Sequence, residues 1–149
     1  MAHRKNQTSL NMASNMKNIA LYILLLTLFG CSDYALETGP HFDELSVTKA
    51  KQMIKDNKGN PKFILLDVRT ESEVATGYIE NAVMIDFRDP EFAHKIKNLD
   101  SYARILVYCG SGIRSGHTCE LLRQSGFKEG YNMLGGIKAW KAAEYPLIK

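Results

Sequence analysis

The chain has 149 residues, 45% of them hydrophobic and 23% charged, which suits one globular domain and excludes a disordered or fibrous chain. Its 3 cysteines are too few for the disulfide framework of a small secreted scaffold. The net charge of +3 comes from Arg4, Lys5 and Lys17, because acidic and basic side chains balance over residues 31–149. Charge therefore predicts no nucleic-acid partner.

The first 30 residues have the pattern of an export signal. Ile19–Phe29 is an uncharged apolar run of 11 residues after Lys17, shorter than the roughly 20 residues of a membrane-spanning helix. The end of this run and the two residues after it read LFGC, at positions 28–31. This sequence resembles the lipobox of bacterial lipoproteins, in which the cysteine is lipidated and the chain is cut before it. We therefore expect residues 1–30 to be a signal peptide and Cys31 to be lipidated.

This interpretation predicts a protein of the cell envelope, anchored by lipid to a bacterial membrane and facing the periplasm or the exterior. Met16 is a candidate for the true start, because the signal is complete from there. Residues 31–41 are mostly polar, include Gly39 and Pro40, and are predicted to be a linker before a domain over 42–149. A buried apolar helix with an incidental cysteine stays open as the alternative.

Hydrophobic patterning along the chain predicts helices that alternate with short strands. Ser46 can cap a helix over Val47–Asp56, whose apolar residues fall on one face. The predicted strands are Lys62–Val68, Ala82–Ile85, Arg104–Cys109 and Tyr131–Leu134, and the other predicted helices are Glu71–Thr76, Pro90–Leu99, Ser115–Ser125 and Ile137–Ala143. This alternation predicts an α/β fold with a central, largely parallel β-sheet flanked by helices on both faces.

The segment CGSGIRS, Cys109–Ser115, follows the third predicted strand and leads into a helix. In such sheets, ligands bind at the carboxyl ends of strands. Two glycines let the backbone turn tightly, so that N–H groups point at one spot, and the helix start adds further donors. The pKa of a cysteine beside these donors should lie below that of a free thiol. We therefore predict that Cys109 is a thiolate nucleophile and that the loop binds an anion against its sulfur.

Other ligand-binding motifs fit this loop less well. The loop lacks the lysine of a P-loop and the third glycine of a dinucleotide fingerprint. Cys109, His117 and Cys119 form an incomplete zinc set without a paired C-x-x-C, so no metal is predicted. A buried structural cysteine at the end of a strand stays open as an alternative.

CGSGIRS resembles the active-site loop of rhodanese-domain sulfurtransferases. Three further stretches match motifs of that family in the expected order: Leu66–Arg69 with Glu73 and Gly77–Ile79 (D-x-R…E-x-x-x-G-H-I), Leu122 with Gly126 and Phe127, and Leu134–Gly136 with Trp140 (L-x-G-G-x-x-x-W). Tyr78 stands where the family has histidine, and Glu80 with Asn81 replaces Pro-Gly. These departures bear on substrate access more than on chemistry.

The resemblance, over about residues 42–147, implies a rhodanese-like three-layer fold in a monomeric thiosulfate sulfurtransferase. Cys109 would take sulfane sulfur from a donor such as thiosulfate as a persulfide and pass it to cyanide or a thiol, with no cofactor. The resemblance assigns anion and persulfide binding to Gly110, Ser111, Gly112, Ile113, Arg114 and Ser115. It assigns structural support, through ion pairs, to Asp67, Arg69 and Glu73.

Two other functions stay open. Phosphatases and arsenate reductases of this fold have a cysteine loop one residue longer, and the six residues of Cys109–Arg114 favour sulfur transfer. The second open function is a non-enzymatic sulfur-carrier or interaction module; the first is a cysteine-dependent phosphatase or arsenate reductase. Outside the cytoplasm, the thiolate would depend on a reducing partner.

Several side chains near the loop have two interpretations. Arg114 either positions an anionic donor or is exposed at the start of the helix. Ser115 either donates to the thiolate or caps the helix. Cys119 is predicted to pack in the core, with a resolving thiol for Cys109 as the alternative.

Overall fold

The computed structural model describes residues 39–149, which form a five-stranded sheet with helices on both faces. The strand order is β1-β5-β4-β2-β3, and each neighbouring pair is parallel. The elements in chain order are β1 (His41–Leu45), α1 (Val47–Asp56), β2 (Phe63–Asp67), α2 (Glu71–Val74), β3 (Val83–Met84), α3 (Phe92–Lys97), β4 (Arg104–Tyr108), α4 (Ile113–Gln124), β5 (Glu129–Met133) and α5 (Gly136–Ala142). The predicted α/β fold is confirmed.

Side chains of the central strand β4 alternate between two hydrophobic cores, because successive strand residues point to opposite faces of a sheet. Leu106 and Tyr108 belong to the core under α1 and α5. Ile105, Val107 and Cys109 belong to the core under α3 and α4. Cys109 therefore leaves the sheet on the side of α4, at the edge where all the parallel strands end.

Most predicted elements are present, and the differences are local. Ser46 caps α1 by accepting a hydrogen bond from Lys49 N, as predicted. The helix predicted from Pro90 begins only at Phe92, and α2 ends at Val74, two residues before the predicted end. The helix predicted from Ser115 begins at Ile113.

Strand β1 was not predicted, and its first residue, His41, lies inside the predicted linker. It pairs with β5 at the edge of the sheet and carries two exposed acids, Asp43 and Glu44, so it lacks the apolar run of a central strand. Its Phe42 ring lies against Gly130, where an added Cβ would come within 2.2 Å of the ring. An edge position and a glycine partner explain a strand that hydrophobicity does not reveal.

The predicted signal peptide, the lipidated Cys31 and most of the predicted linker lie outside the described residues. Within residues 39–149, no helix has both the length and the apolar content needed to cross a membrane.

Candidate active site

The predicted loop connects β4 to α4 at the carboxyl edge of the sheet. Cys109 directly follows β4, and Gly112 is the N-cap of α4, with a left-handed φ of 97°. An added Cβ on Gly112 would lie 3.2 Å from Gly135 N and 3.4 Å from Met133 O. Glycine is therefore favoured at this turn by both the backbone angle and the lack of space.

The loop backbone is held from behind by the start of α5. Ile137 N donates to Cys109 O at 2.8 Å, and Lys138 N donates to Gly110 O at 3.2 Å. Gly136 permits this approach, because a Cβ there would lie 2.3 Å from Cys109 O. With its carbonyl groups bound to α5, the loop can turn N–H groups toward the sulfur.

The Cys109 sulfur lies at the floor of the loop, and the residue is only 1% exposed. Gly112 N donates to Sγ at 3.2 Å, and Ser115 Oγ lies 3.5 Å from it. Burial raises the pKa of this thiol, but hydrogen bonds from the side chain and backbone of Ser115 and from the N–H groups of Ser111 and Gly112 outweigh burial. The net effect is a pKa below the ordinary value of a thiol, so the site favours a thiolate.

Arg114 lies beside the loop and pairs with Glu73 on α2. Its Nη1 donates to Glu73 Oε2 at 2.8 Å and its Nη2 to Glu73 Oε1 at 2.6 Å. This hydrogen bonding outweighs desolvation and, with bonds from Thr70, lowers the pKa of Glu73 to about 2. The Arg114 side chain is half-buried at the start of α4, 21% exposed, and is held by its ion pair with Glu73.

Asp67 and Arg69, the two named residues of the D-x-R element, hold the segment that carries Glu73 in place. Arg69 and Asp67 form a buried ion pair at 2.7 Å. Arg69 also donates to Gly77 O at 2.9 Å and to Glu73 O at 3.0 Å. These bonds fix the segment that carries Glu73 against the end of β2.

Ser115 is fully buried in the first turn of α4. Because Gly112 is the N-cap and no side chain caps this helix, the interpretation of Ser115 as a helix cap is wrong. Its hydroxyl lies 2.7 Å from Asn132 Oδ1, a contact that the sequence did not indicate. A polar residue in the otherwise apolar end of β5 is the signal that could have drawn attention to Asn132.

The remaining residues that the sequence singled out have structural contacts of their own. Cys119 is buried at the edge of the core under α3 and α4, and desolvation, with the charge of Glu44, raises the pKa of its thiol to about 12, as suits a core residue. Tyr78 is tied by backbone hydrogen bonds to Ile148 near the carboxyl terminus. Among residues 39–149, no group of three histidine, cysteine or acidic side chains is placed to hold a metal ion. The remaining loop residue, Ile113, is 68% exposed.

Comparisons with known proteins agree with this geometry. The family model described as "Rhodanese-like domain" matches residues 46–143. YtwF of Bacillus subtilis (strain 168), a candidate sulfurtransferase by name, is 36% identical over 69% of this chain and 94% of its own. The tRNA uridine(34) hydroxylase of Chlamydia caviae is 33% identical over 79% of this chain but only 35% of its own.

A solved structure gives the same result for the fold. The rhodanese-related protein from Thermoplasma volcanium superposes with a TM-score of 0.61 and 28% identity, over 71% of this chain and 97% of its own. The matched region contains the whole Cys109 loop and the segments that hold it. The chain therefore belongs to the rhodanese-like domain family.

Proposed function

We propose that the protein is a sulfurtransferase that moves sulfane sulfur through a persulfide on Cys109. The observation that carries the proposal is the Cys109 sulfur itself, which accepts a 3.2 Å hydrogen bond from Gly112 N in a six-residue loop. The donors that lower the pKa of the thiol also suit the charge of a persulfide.

In the first step, the Cys109 thiolate attacks the outer sulfur of a donor such as thiosulfate. A new S–S bond forms to Cys109, the S–S bond of thiosulfate breaks, and sulfite leaves with the bonding electron pair. In the second step, cyanide or a thiolate attacks the outer sulfur of the persulfide, and Cys109 leaves as the thiolate. No net oxidation, metal or organic cofactor is needed, and the two half-reactions are separate.

The burial of Cys109 favours a donor with a narrow, terminal sulfur. Only 1% of the residue is exposed, so a donor must reach the sulfur end-on at the floor of the loop. A terminal sulfane sulfur fits this requirement better than a tetrahedral phosphate group, which would need space around the nucleophile. The six-residue loop supports the same choice.

A steady-state thiosulfate:cyanide assay on the full chain tests the proposal. We expect ping-pong kinetics in wild type, loss of turnover in Cys109→Ser, and retention of turnover in the matched control Cys119→Ser. Turnover of an aryl phosphate at comparable efficiency would instead indicate a phosphatase. Absence of turnover with every donor would indicate a carrier or interaction module.

We also propose that Cys31 anchors the protein to a membrane of the cell envelope. The proposal rests on the apolar run and the LFGC sequence at 28–31. Labelling with palmitate in a bacterial host should be lost in Cys31→Ala and kept in Cys109→Ser. Unchanged labelling in Cys31→Ala would refute the anchor.

A further inference from the structure

A chain of polar contacts leads from the Cys109 sulfur to the protein surface. Ser115 Oγ lies 3.5 Å from the sulfur and 2.7 Å from Asn132 Oδ1. Asn132 Nδ2 in turn lies 3.4 Å from Glu44 Oε1 on β1. Ser115 and Asn132 are buried, whereas Glu44 is exposed. Solvent-side charge can therefore act on the sulfur through two buried side chains.

The Ser115 hydroxyl has one proton, so the Cys109 sulfur and Asn132 Oδ1 compete for it. The amide oxygen of Asn132 can only accept and lies at 2.7 Å, whereas the sulfur lies at 3.5 Å, so Asn132 takes the stronger share of this hydrogen bond. In this amide orientation the Ser115 side chain therefore lowers the pKa of Cys109 less than it would if its proton pointed at the sulfur alone.

Rotating the Asn132 amide by half a turn exchanges its oxygen and nitrogen in nearly the same space. The NH₂ group then donates to Ser115, and the hydroxyl donates to the sulfur, which stabilises the thiolate. The Glu44 carboxylate opposes this rotation, because it attracts the NH₂ group and would repel the amide oxygen. Gly116 leaves room for the amide, since a Cβ there would lie 3.4 Å from Asn132 Nδ2.

We propose that Asn132 is a positioning residue whose amide orientation decides how strongly Ser115 donates to the Cys109 sulfur, and that the Glu44 carboxylate sets this orientation. This inference deepens the proposed function and rests on it for the identity of the reactive sulfur. Arg114 is the other charged group that acts on the sulfur. Asn132 and Glu44 also border a surface cleft of about 240 Å³, and its other polar or titratable residues are Asp43, Cys119 and Glu120.

The test is the pH dependence of Cys109 alkylation by iodoacetamide in the full chain, followed by peptide mass spectrometry. Glu44→Gln keeps the side-chain shape and replaces the carboxylate, which only accepts, by a neutral amide that can pair with either end of the Asn132 amide. The bias on Asn132 is then relieved, so the midpoint of the alkylation rate should move to lower pH. Below the wild-type midpoint, the alkylation rate should rise roughly two- to tenfold, the factor for one hydrogen bond of ordinary strength. Asp43→Asn is the matched control, because it removes a neighbouring charge that does not contact Asn132.

A double-mutant comparison separates the relay from a direct effect of charge. In a Ser115→Ala background, Glu44→Gln should no longer move the midpoint, because no hydroxyl remains to redirect. The proposal would be overturned if Glu44→Gln still moved the alkylation midpoint in the Ser115→Ala background, or if Asp43→Asn moved the midpoint by the same amount. Asn132→Asp, which can only accept, should move the midpoint to higher pH, but the Glu44 comparison stands if that variant does not fold.

The two proposals fail in different ways. If thiosulfate leaves no sulfur on Cys109, the proposed function is wrong, but the alkylation profiles still decide the role of Asn132. If sulfur is transferred and Glu44→Gln leaves the profile unchanged, only the role of Asn132 is wrong.

Discussion

The two cysteines of the described domain have opposite surroundings, and this difference defines the chemistry at the scale of single residues. Both are free thiols. Cys109 receives hydrogen bonds that lower its pKa below the ordinary value. Cys119 packs in the core under α3 and α4, and burial, together with the charge of Glu44, raises the pKa of its thiol to about 12. The structure therefore favours the reactive thiolate at Cys109 more than at an ordinary thiol and disfavours it at Cys119.

Alkylation should separate the two cysteines. Because the thiolate is the reacting form, the rate at Cys109 should rise with pH and reach half its maximum below pH 9.0, the ordinary thiol value. Cys119 should stay unmodified in the same sample while the chain is folded. Peptide mass spectrometry over a pH series measures both sites. Equal rates at Cys109 and Cys119 would contradict the assignment of the reactive thiol.

The ion pair between Glu73 and Arg114 should stabilise the fold in a pH-dependent way. The pKa of Glu73 falls from 4.5 to about 2 on folding, so its contribution is present above pH 4.5 and is lost as the pH falls through about 2. Because the pair is partly exposed, Glu73→Gln should lower the free energy of unfolding at pH 7 by only about 1 kcal/mol. Urea unfolding should show a smaller difference from wild type at pH 3 than at pH 7. A difference that grows on acidification would contradict this account.

At the scale of elements, the start of α5 shapes the loop between β4 and α4, although α5 lies later in the chain. The Gly135–Gly136 turn brings N–H groups of Ile137 and Lys138 onto the carbonyl groups of Cys109 and Gly110. The β4–α4 loop and the α5 start thus form one unit, although 25 residues lie between Cys109 and Gly135. The matching L-x-G-G motif is explained by this contact.

Gly136→Ala should disrupt the loop, because the added Cβ would lie 2.3 Å from Cys109 O at a φ of +55°. We expect the turnover of thiosulfate to fall roughly a hundredfold, the usual scale for losing a properly placed backbone donor. Gly126→Ala is the matched control, with a φ of +89° but open space around the new Cβ. It should cost about 1 kcal/mol of stability and keep turnover. Equal losses of turnover in the two variants would argue against a specific role for the α5 start.

The sequence predicted those elements whose signal is local. Apolar runs located β2, β4 and β5 to within about two residues, and Ser46 located the start of α1. Strand β1 escaped prediction because an edge strand can carry acids on its exposed positions. The loop sequence correctly predicted that the pKa of Cys109 is shifted below that of an ordinary thiol. It did not predict the contact of Ser115 with Asn132 or of Arg114 with Glu73, because these residues meet only after the sheet has formed.

At the scale of the whole molecule, a buried ion pair joins the sheet to the segment beside the site. The side chains of Asp67 and Arg69 are 0% and 2% exposed, and Arg69 also binds two backbone carbonyl groups. Tyr108 OH accepts from Ile79 N at 3.1 Å and secures the same segment to β4. These contacts make the supporting side of the site part of the folded core.

Asp67→Asn should destabilise the entire domain, because it leaves the Arg69 charge buried without its partner. We expect the free energy of unfolding to fall by about 3–5 kcal/mol. Chemical denaturation followed by circular dichroism measures this change. Lys62→Gln is the matched control, since its ion pair with Asp100 is exposed and should contribute little. Similar losses in both variants would show that burial of the Asp67–Arg69 pair does not matter.

The central claim is that Cys109 carries sulfur during the reaction. Its most direct test is mass spectrometry of the full chain after incubation with thiosulfate and removal of the excess donor. We predict that wild type and Cys119→Ser each gain one sulfur atom on the peptide that contains Cys109, that cyanide removes it, and that Cys109→Ser gains none. A sulfur atom on Cys109→Ser, or none on wild type, would contradict the account.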